Sequence, residues 1–523
     1  MVRIGAIASV VIAGAASGQL VNRVNGRFDQ RHYVEDAAVM SNFDVVLAGE
    51  RDTYTGGFQS AATLTRVAPD GLPIWSRNFD VDGEFESGAA VRPLANGDIV
   101  FGFYSGFNDF AVCLTRTDGA GTPLWIRRYP GAYSYPSGGM KIEPGTPESI
   151  VLVGRYFGGG TGGAQLLRVA AADGSPSLDN AYFGPIENTF DTYFTDIAFV
   201  PGGDYFVTGG VSYYLPATDE YKADTLVARI DRNGNVVWCN LYDQILPDFD
   251  STDEGRGIAI LSSGNIAVVG RTSTPPDYVG QSSAMHLRLD QATGAVLAVN
   301  VLDDVEVASA SLEVVASGNL LSSGTRIFGD GDGAAQMWVV DPVNMQAQWR
   351  AEYPDGRSFG YDAIEQPQAR DASNYVLVGS NYPFSVNPIG SPDQMFIRTD
   401  ESGNDNCAVS YLLFAPIPVE VRVTPFVLTK IALEDPVPFD GQTYPDILET
   451  RLVCTESSCP GDLNGDGFVD DADFVIFVNA YNILDCFDPS MPTGCPADLN
   501  GDDFVDDADF VIFVAAYNEL ICP

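Results

Sequence analysis

Gly203-Asp-Tyr-Phe-Val-Thr-Gly209, followed by Ala228-Arg-Ile-Asp-Arg-Asn-Gly-Asn-Val-Val-Trp238, is one copy of the pattern that decides the fold. The first stretch is an apolar run ending at glycine. The second alternates like a strand, turns at Asn233-Gly234 and ends in an aromatic strand. Working outward, the glycine-ended run returns at 43–49, 97–102, 149–154, 264–270, 318–324 and 374–379, which makes seven copies. The arginine-bearing strand returns as Leu64-Thr-Arg66, Leu114-Thr-Arg116, Leu167-Arg168, Leu287-Arg288 and Ile397-Arg398. The sixth copy departs, with Trp338-Val-Val-Asp341 and no arginine. Tryptophans close four copies, at Trp75, Trp125, Trp238 and Trp349. Four short strands per copy, seven times over, predict a mainly β chain folded as a seven-bladed β-propeller of four-stranded blades over residues 19–408. Each blade is apolar on both faces and buries them only against its neighbours, so the ring must close. The tryptophans are expected between blades. Arg and Asp two residues apart share a strand face, which suggests a repeated ion pair or turn cap.

This arrangement resembles the secreted bacterial β-propeller repeat proteins, whose blades read Gly-Asn-x-x-Val-x-Gly, then Leu-x-Lys/Arg-x-Asp-x-x-Gly-Asn-x-x-Trp. The copy ending at Trp238 fits best. The resemblance spans most of the chain and implies a fold, not an activity.

The balance of 70 acids against 28 bases gives a net charge of −42. Phosphate binding needs a basic stripe, so nucleic acid is not an expected partner, and adhesion to an anionic membrane is disfavoured likewise. Met1-Val2-Arg3 and the apolar run from Ile4 to Ala16 read as a signal peptide, residues 1–18, too short to remain as a spanning helix. No membrane insertion is expected, and the mature chain is expected to be secreted, extracellular or associated with the cell surface. Export permits disulfides. Six of the 8 cysteines lie from Cys407 onward, while Cys113 and Cys239 sit in apolar strand-like runs and read as buried thiols. Residues 409–458 are poorly periodic and read as an appended strand pair or linker, tied to the ring by a Cys407–Cys454 bridge.

Residues 459–523 carry a tandem motif with a repeat of 36 residues. The first copy offers Asp462, Asn464, Asp466, the Phe468 carbonyl, Asp470 and Asp473; the second offers Asp498, Asn500, Asp502, the Phe504 carbonyl, Asp506 and Asp509. Oxygen ligands at loop positions 1, 3, 5, 7, 9 and 12 are what hard Ca²⁺ takes, so two Ca²⁺ sites are expected. Gly467 suits the sharp turn at position 6, whereas Asp503 departs there, and position 12 is Asp instead of the longer Glu. Two such loops, each followed by one apolar helix, look like a dockerin type I domain with tandem EF-hand-like loops. That resemblance implies a small α-helical module and a cohesin-like partner. Loop positions 10 and 11 depart from it: Asp471-Ala472 and Asp507-Ala508 stand where cohesin-binding dockerins often carry hydroxyls. The four flanking cysteines allow two symmetric pairings, Cys459–Cys522 with Cys486–Cys495, or Cys459–Cys486 with Cys495–Cys522. The first is preferred because dockerin-like domains bring their ends together. Phe474 to Val478 and Phe510 to Val514 are apolar throughout, too much for a small domain to hide. They imply a protein interface, with a separate protein or with the chain's own propeller.

Catalytic signatures are scarce. The chain has 2 histidines, His32 and His286, and no nucleophile elbow, zinc-binding His-Glu-x-x-His or phosphate-cradling loop. His286 falls on a strand and reads as structural. Asp303-Asp304 and Asp330-Gly-Asp332 are candidate carboxylate pairs for glycoside hydrolysis. The expectation is a secreted, calcium-binding, non-catalytic propeller that binds a protein or glycan and docks through its C-terminal module. The alternative is a carbohydrate-active enzyme of glycoside hydrolase type, carried by the propeller and tethered by the dockerin-like domain.

Overall fold

Each repeat folds into one antiparallel sheet. In the first blade Gln30–Val39, Val45–Thr53, Ser60–Val67 and Pro73–Asp80 run from the ring's axis outward. Five further blades repeat this order, and their innermost strands are Glu86–Pro93, Ser134–Glu143, Thr189–Phe199, Asp253–Ile260 and Leu312–Val314. The seventh contributes Ser358–Gln366, Asn374–Asn381 and Asp393–Thr399, and takes its fourth strand, Val21–Gly26, from the chain's beginning. That closure strand pairs from Val21 opposite Arg398 to Asn25 opposite Gln394. It also grips the first blade: Arg23 Nε donates to the Asp70 carbonyl at 2.6 Å and Asn25 Nδ2 to that of Gly71 at 3.1 Å.

The computed structural model describes the chain except residues 1–20, 27–29, 54–59, 81–85, 107–110, 130–133, 146–147, 159–160, 186–188, 201, 216–219, 247–248, 251, 274–281, 303–311, 328–332, 354–357, 367–373, 382–392, 405–409, 412–419, 434–436, 439–441, 447, 455–460, 462, 464–468, 470, 487, 489, 492–494, 500–503 and 518–523. It falls into two compact units, one ending at Val453 and one beginning at Cys454. The expected signal peptide lies outside the described residues. No helix among those described is long and apolar enough to cross a membrane.

Seven hydrophobic clusters hold the ring, one between each pair of adjacent blades. The tryptophans lie where expected. Trp75 of the first blade donates through Nε1 to the Gly119 carbonyl of the second at 3.2 Å. A Cβ on Gly121 would sit 2.9 Å from the Trp75 ring, and φ there is +79°, so only glycine fits on both counts. The repeated arginine and aspartate divide their work differently from the simplest reading. Arg66, Arg116 and Arg229 pair with the aspartates just ahead of the second strands, Asp44, Asp98 and Asp204, at 2.5, 2.6 and 2.7 Å. The aspartate two residues after the arginine caps its turn instead: Asp231 Oδ1 accepts the N–H groups of Asn233 and Asn235, both at 2.8 Å.

The region expected as one appended strand pair is a belt of six short strands. Ser410–Tyr411, Glu420–Pro425, Thr429–Ala432, Val437–Pro438, Gln442–Asp446 and Glu449–Cys454 add to the sixth, fourth, third, second, first and seventh blades in turn. The belt runs round the perimeter against the order of the blades and supplies partners to otherwise open outer edges. The four-stranded expectation is corrected accordingly: six sheets have at least five strands, and the fifth blade has four among the described residues. Cys407 lies outside the described residues, so the Cys407–Cys454 bridge stays an expectation. Cys113 and Cys239 are buried and outside disulfides, as read from sequence.

In the second unit α1 (Asp471–Tyr481) and α2 (Asp507–Tyr517) pack over Val469, Phe477, Ala480, Ala497, Val505 and Phe513. Cys486 and Cys495 are bridged, with Cα atoms 5.4 Å apart, as in the preferred pairing. Cys459 and Cys522 lie outside the described residues.

Candidate functional site

The helical unit places the two position-12 carboxylates identically. Asp473 and Asp509 are each 0% exposed, in the first turn of their helices. Each accepts the backbone N–H of loop position 2, Leu463 to Asp473 Oδ1 at 2.7 Å and Leu499 to Asp509 Oδ1 at 2.8 Å. In the second loop Asp506 also caps α2. Its Oδ1 accepts the Ala508 N–H at 2.8 Å, while Asp509 Oδ2 accepts the Asp506 N–H at 2.9 Å, a reciprocal box. The helices repeat one another's contacts: Tyr481 donates to Asp507 on α2, and Tyr517 to Asp471 on α1 at 2.6 Å. Phe477 and Phe513, equivalent by the repeat, pack with tilted rings whose centres are 4.9 Å apart.

Of the expected ligands, Asp473, Asp498, Phe504, Asp506 and Asp509 are described, whereas Asp462, Asn464, Asp466, Phe468, Asp470, Asn500 and Asp502 lie outside the described residues. The donor chemistry fits a hard cation. A carboxylate oxygen that accepts one N–H keeps a second lone pair. Residues 459–523 contain thirteen Asp, one Glu and no Lys or Arg, so no cationic side chain of this unit can meet that charge.

The propeller axis carries a second charged cluster, which sequence reading missed. The innermost strands of the first, fourth and seventh blades each bulge one residue before an aspartate, Asp36, Asp196 and Asp362. Each carboxylate reaches the next blade and accepts a backbone N–H: Val91 at 2.7 Å, Ile258 at 2.9 Å and Ala37 at 3.1 Å. Glu313 does the same for Glu365 N–H at 2.7 Å. Arg92 pairs with Asp36 at 2.5 Å, and Lys141 stands 3.8 Å from Asp196. A cavity of about 480 Å³ opens beside them, lined by Met40, Phe43, Arg92, Lys141, Glu313 and Glu365 among others. Burial pushes Glu313 up to about 7. Asp362 is raised by burial and by the neighbouring Asp36. The cluster joins blades, and the cavity has the size of a small-ligand pocket.

Farther along the first blade, burial pushes Glu35 and Glu50 up to about 7, and Glu50 adds to the rise at Glu35. Nothing in their sequence marks them out, because their setting comes from a bulge and from a neighbouring blade. His286 takes the structural role read from sequence. Its Nε2 accepts from Trp338 Nε1 at 3.0 Å, and burial lowers its pKa to about 4, so it is neutral. Asp303, Asp304, Asp330 and Asp332 lie outside the described residues.

No family model matches the chain, and no curated protein matches it. Among solved structures the chain is similar to polysaccharide lyase Uly1, at 12% identity over 73% of this chain and 99% of that one, with a TM-score of 0.44. It is also similar to an ulvan lyase, at 8% identity over 73% and 96% with a TM-score of 0.41. Drosophila Plexin A in complex with Semaphorin 1b follows at 9% identity over 73% and 87%, with a TM-score of 0.39. At these scores function is read from this chain's own side chains.

Proposed function

We propose that the chain is an exported, non-catalytic binding protein. Its propeller is a scaffold for a protein or glycan partner, and its C-terminal unit is a Ca²⁺-dependent, dockerin-like module that docks into an extracellular or cell-surface assembly. One observation carries this reading: Asp473 and Asp509 are fully buried at equivalent places in a duplicated, two-helix unit that has no basic side chain. Asp462, Asn464, Asp466, Asp470, Asp473 and the Phe468 carbonyl would hold one Ca²⁺. Asp498, Asn500, Asp502, Asp506, Asp509 and the Phe504 carbonyl would hold the other. Bound Ca²⁺ supplies the positive charge that lets these carboxylates gather. The chain's own part is to hold loop position 2 against position 12 and to cap α2.

The docking surface follows from the same duplication. Phe474 and Phe510 are each 40% exposed, and Val475 and Val511 more so. Equivalent apolar residues are thus exposed on each helix, beside the exposed Asp471, Asp506 and Asp507. The Cys486–Cys495 bridge supports an oxidising destination.

Carbohydrate-active chemistry is the second reading, and Glu35 with Glu50 favours it, since carboxyl groups held near pH 7 suit general acid catalysis. Two measurements on the full-length protein separate the readings. Amide exchange across α1 and α2 should slow on adding Ca²⁺, and a panel of polysaccharides should yield no products. Unchanged exchange would remove the Ca²⁺-dependent module. Product formation lost in Glu35→Gln or Glu50→Gln would favour the enzyme.

A further inference from the structure

Belt, ring closure and inner wall meet at one buried histidine. His32, on the innermost strand of the first blade, is 0% exposed. Its Nε2 lies 3.1 Å from Asp446 Oδ2, on the belt strand Gln442–Asp446. Its Nδ1 lies 3.8 Å from Asp393 Oδ1, at the start of the seventh-blade strand that receives the closure strand. Both carboxylate side chains are fully buried as well. Arg51 stands opposite His32 in the strand register, and Arg31 and Asp52 pair beside it at 3.7 Å. We propose that His32 is a pH-sensitive latch that fastens the belt, through Asp446, to the closing blade, through Asp393.

The chemistry follows from the ring's two nitrogens. A neutral imidazole has one N–H and satisfies one carboxylate, leaving a lone pair turned toward the other. The imidazolium donates to Asp446, faces Asp393 at ion-pair distance, and carries the charge that two buried carboxylates need. Burial opposes that charge, but Asp393 and Asp446 outweigh it, and His32 is raised above its ordinary 6.5. Its contribution to stability is therefore complete below 6.5 and is lost as pH rises through its value in the folded chain. Neutralised, the latch frees Gln442–Asp446 and the neighbouring Glu449–Cys454, which covers the closure strand Val21–Gly26. Belt strands away from the latch, such as Thr429–Ala432 on the third blade, keep their pairing.

Because the chain has 2 histidines, ¹³C-histidine labelling of the full-length protein reads both without substitution. His286 is expected to stay neutral from pH 5 upward, while His32 titrates above 6.5. Amide exchange, corrected for intrinsic rates, should then show protection of residues 442–454 falling along the His32 titration, by about tenfold for each unit the group is raised. Residues 429–432 should not change. His32→Gln should abolish this pH dependence, and Asp446→Asn should lower the His32 midpoint. If His32→Gln fails to fold, the Asp446→Asn midpoint and the wild-type exchange still decide. A His32 that is neutral at pH 6, or belt exchange indifferent to its titration, overturns the latch.

Discussion

Gly121 and Gly97 separate two costs that usually arrive together. Both have left-handed backbones, with φ of +79° and +87°, but Gly121 faces the Trp75 ring while nothing lies within 4 Å of where a Gly97 Cβ would go. Gly97→Ala should cost only the backbone strain, about 1 kcal/mol. Gly121→Ala adds overpacking, for a total of about 2–4 kcal/mol. Paired denaturant melts check this, and equal losses would remove Trp75 as the reason for glycine. Titration gives a second expectation. Glu35, Glu50 and Glu313 are each pushed up from 4.5 to about 7, so folding favours their protonated forms. Their contribution is complete below 4.5 and is lost as pH rises toward 7. His286, lowered to about 4, acts oppositely, but it stands against these three and the likewise raised Asp362, Asp179 and Asp224. The propeller's melting temperature should fall between pH 4.5 and 7, and less steeply in Glu313→Gln; a flat or rising profile would contradict these settings. The packing residues were legible because the repeat displays them seven times. Asp36, Asp196 and Asp362 were not, because each depends on a bulge that shifts the strand by one residue.

Among the elements, the belt is the one the sequence concealed. An edge strand needs only its backbone to pair, so its side chains carry no pattern: all four residues of Thr429–Ala432 are exposed. Glycine-ended runs, by contrast, mark strands buried on both faces. The closure strand was hidden for a related reason, since its place in the seventh blade is set by the ring and not by its neighbours in sequence. A chain ending at residue 408 should keep its seven inter-blade cores but lose every belt strand. It should melt lower and self-associate through the bared outer strands, which sedimentation and thermal melts report. A monomer as stable as the full chain would make the belt ornamental. In the helical unit, Tyr481→Phe and Tyr517→Phe each remove one of two equivalent hydroxyl–carboxylate bonds. The losses should be small and similar, as paired melts would report; a strongly unequal pair would deny the two-fold design.

For the whole molecule, the repeat count foretold the ring, and the duplicated residues 459–523 form an acidic tail. The docking reading joins two facts of that tail: the carboxylates its fold buries, and the apolar side chains its duplication leaves exposed on both helices. The most direct test is calorimetric titration of the metal-free, full-length protein with Ca²⁺. Two sites per chain are expected, with the first loop tighter because Gly467 turns more freely than Asp503. Asp473→Ala and Asp509→Ala should each weaken its own site and spare the other. No heat at millimolar Ca²⁺, or heats unaltered by both substitutions, would contradict the account.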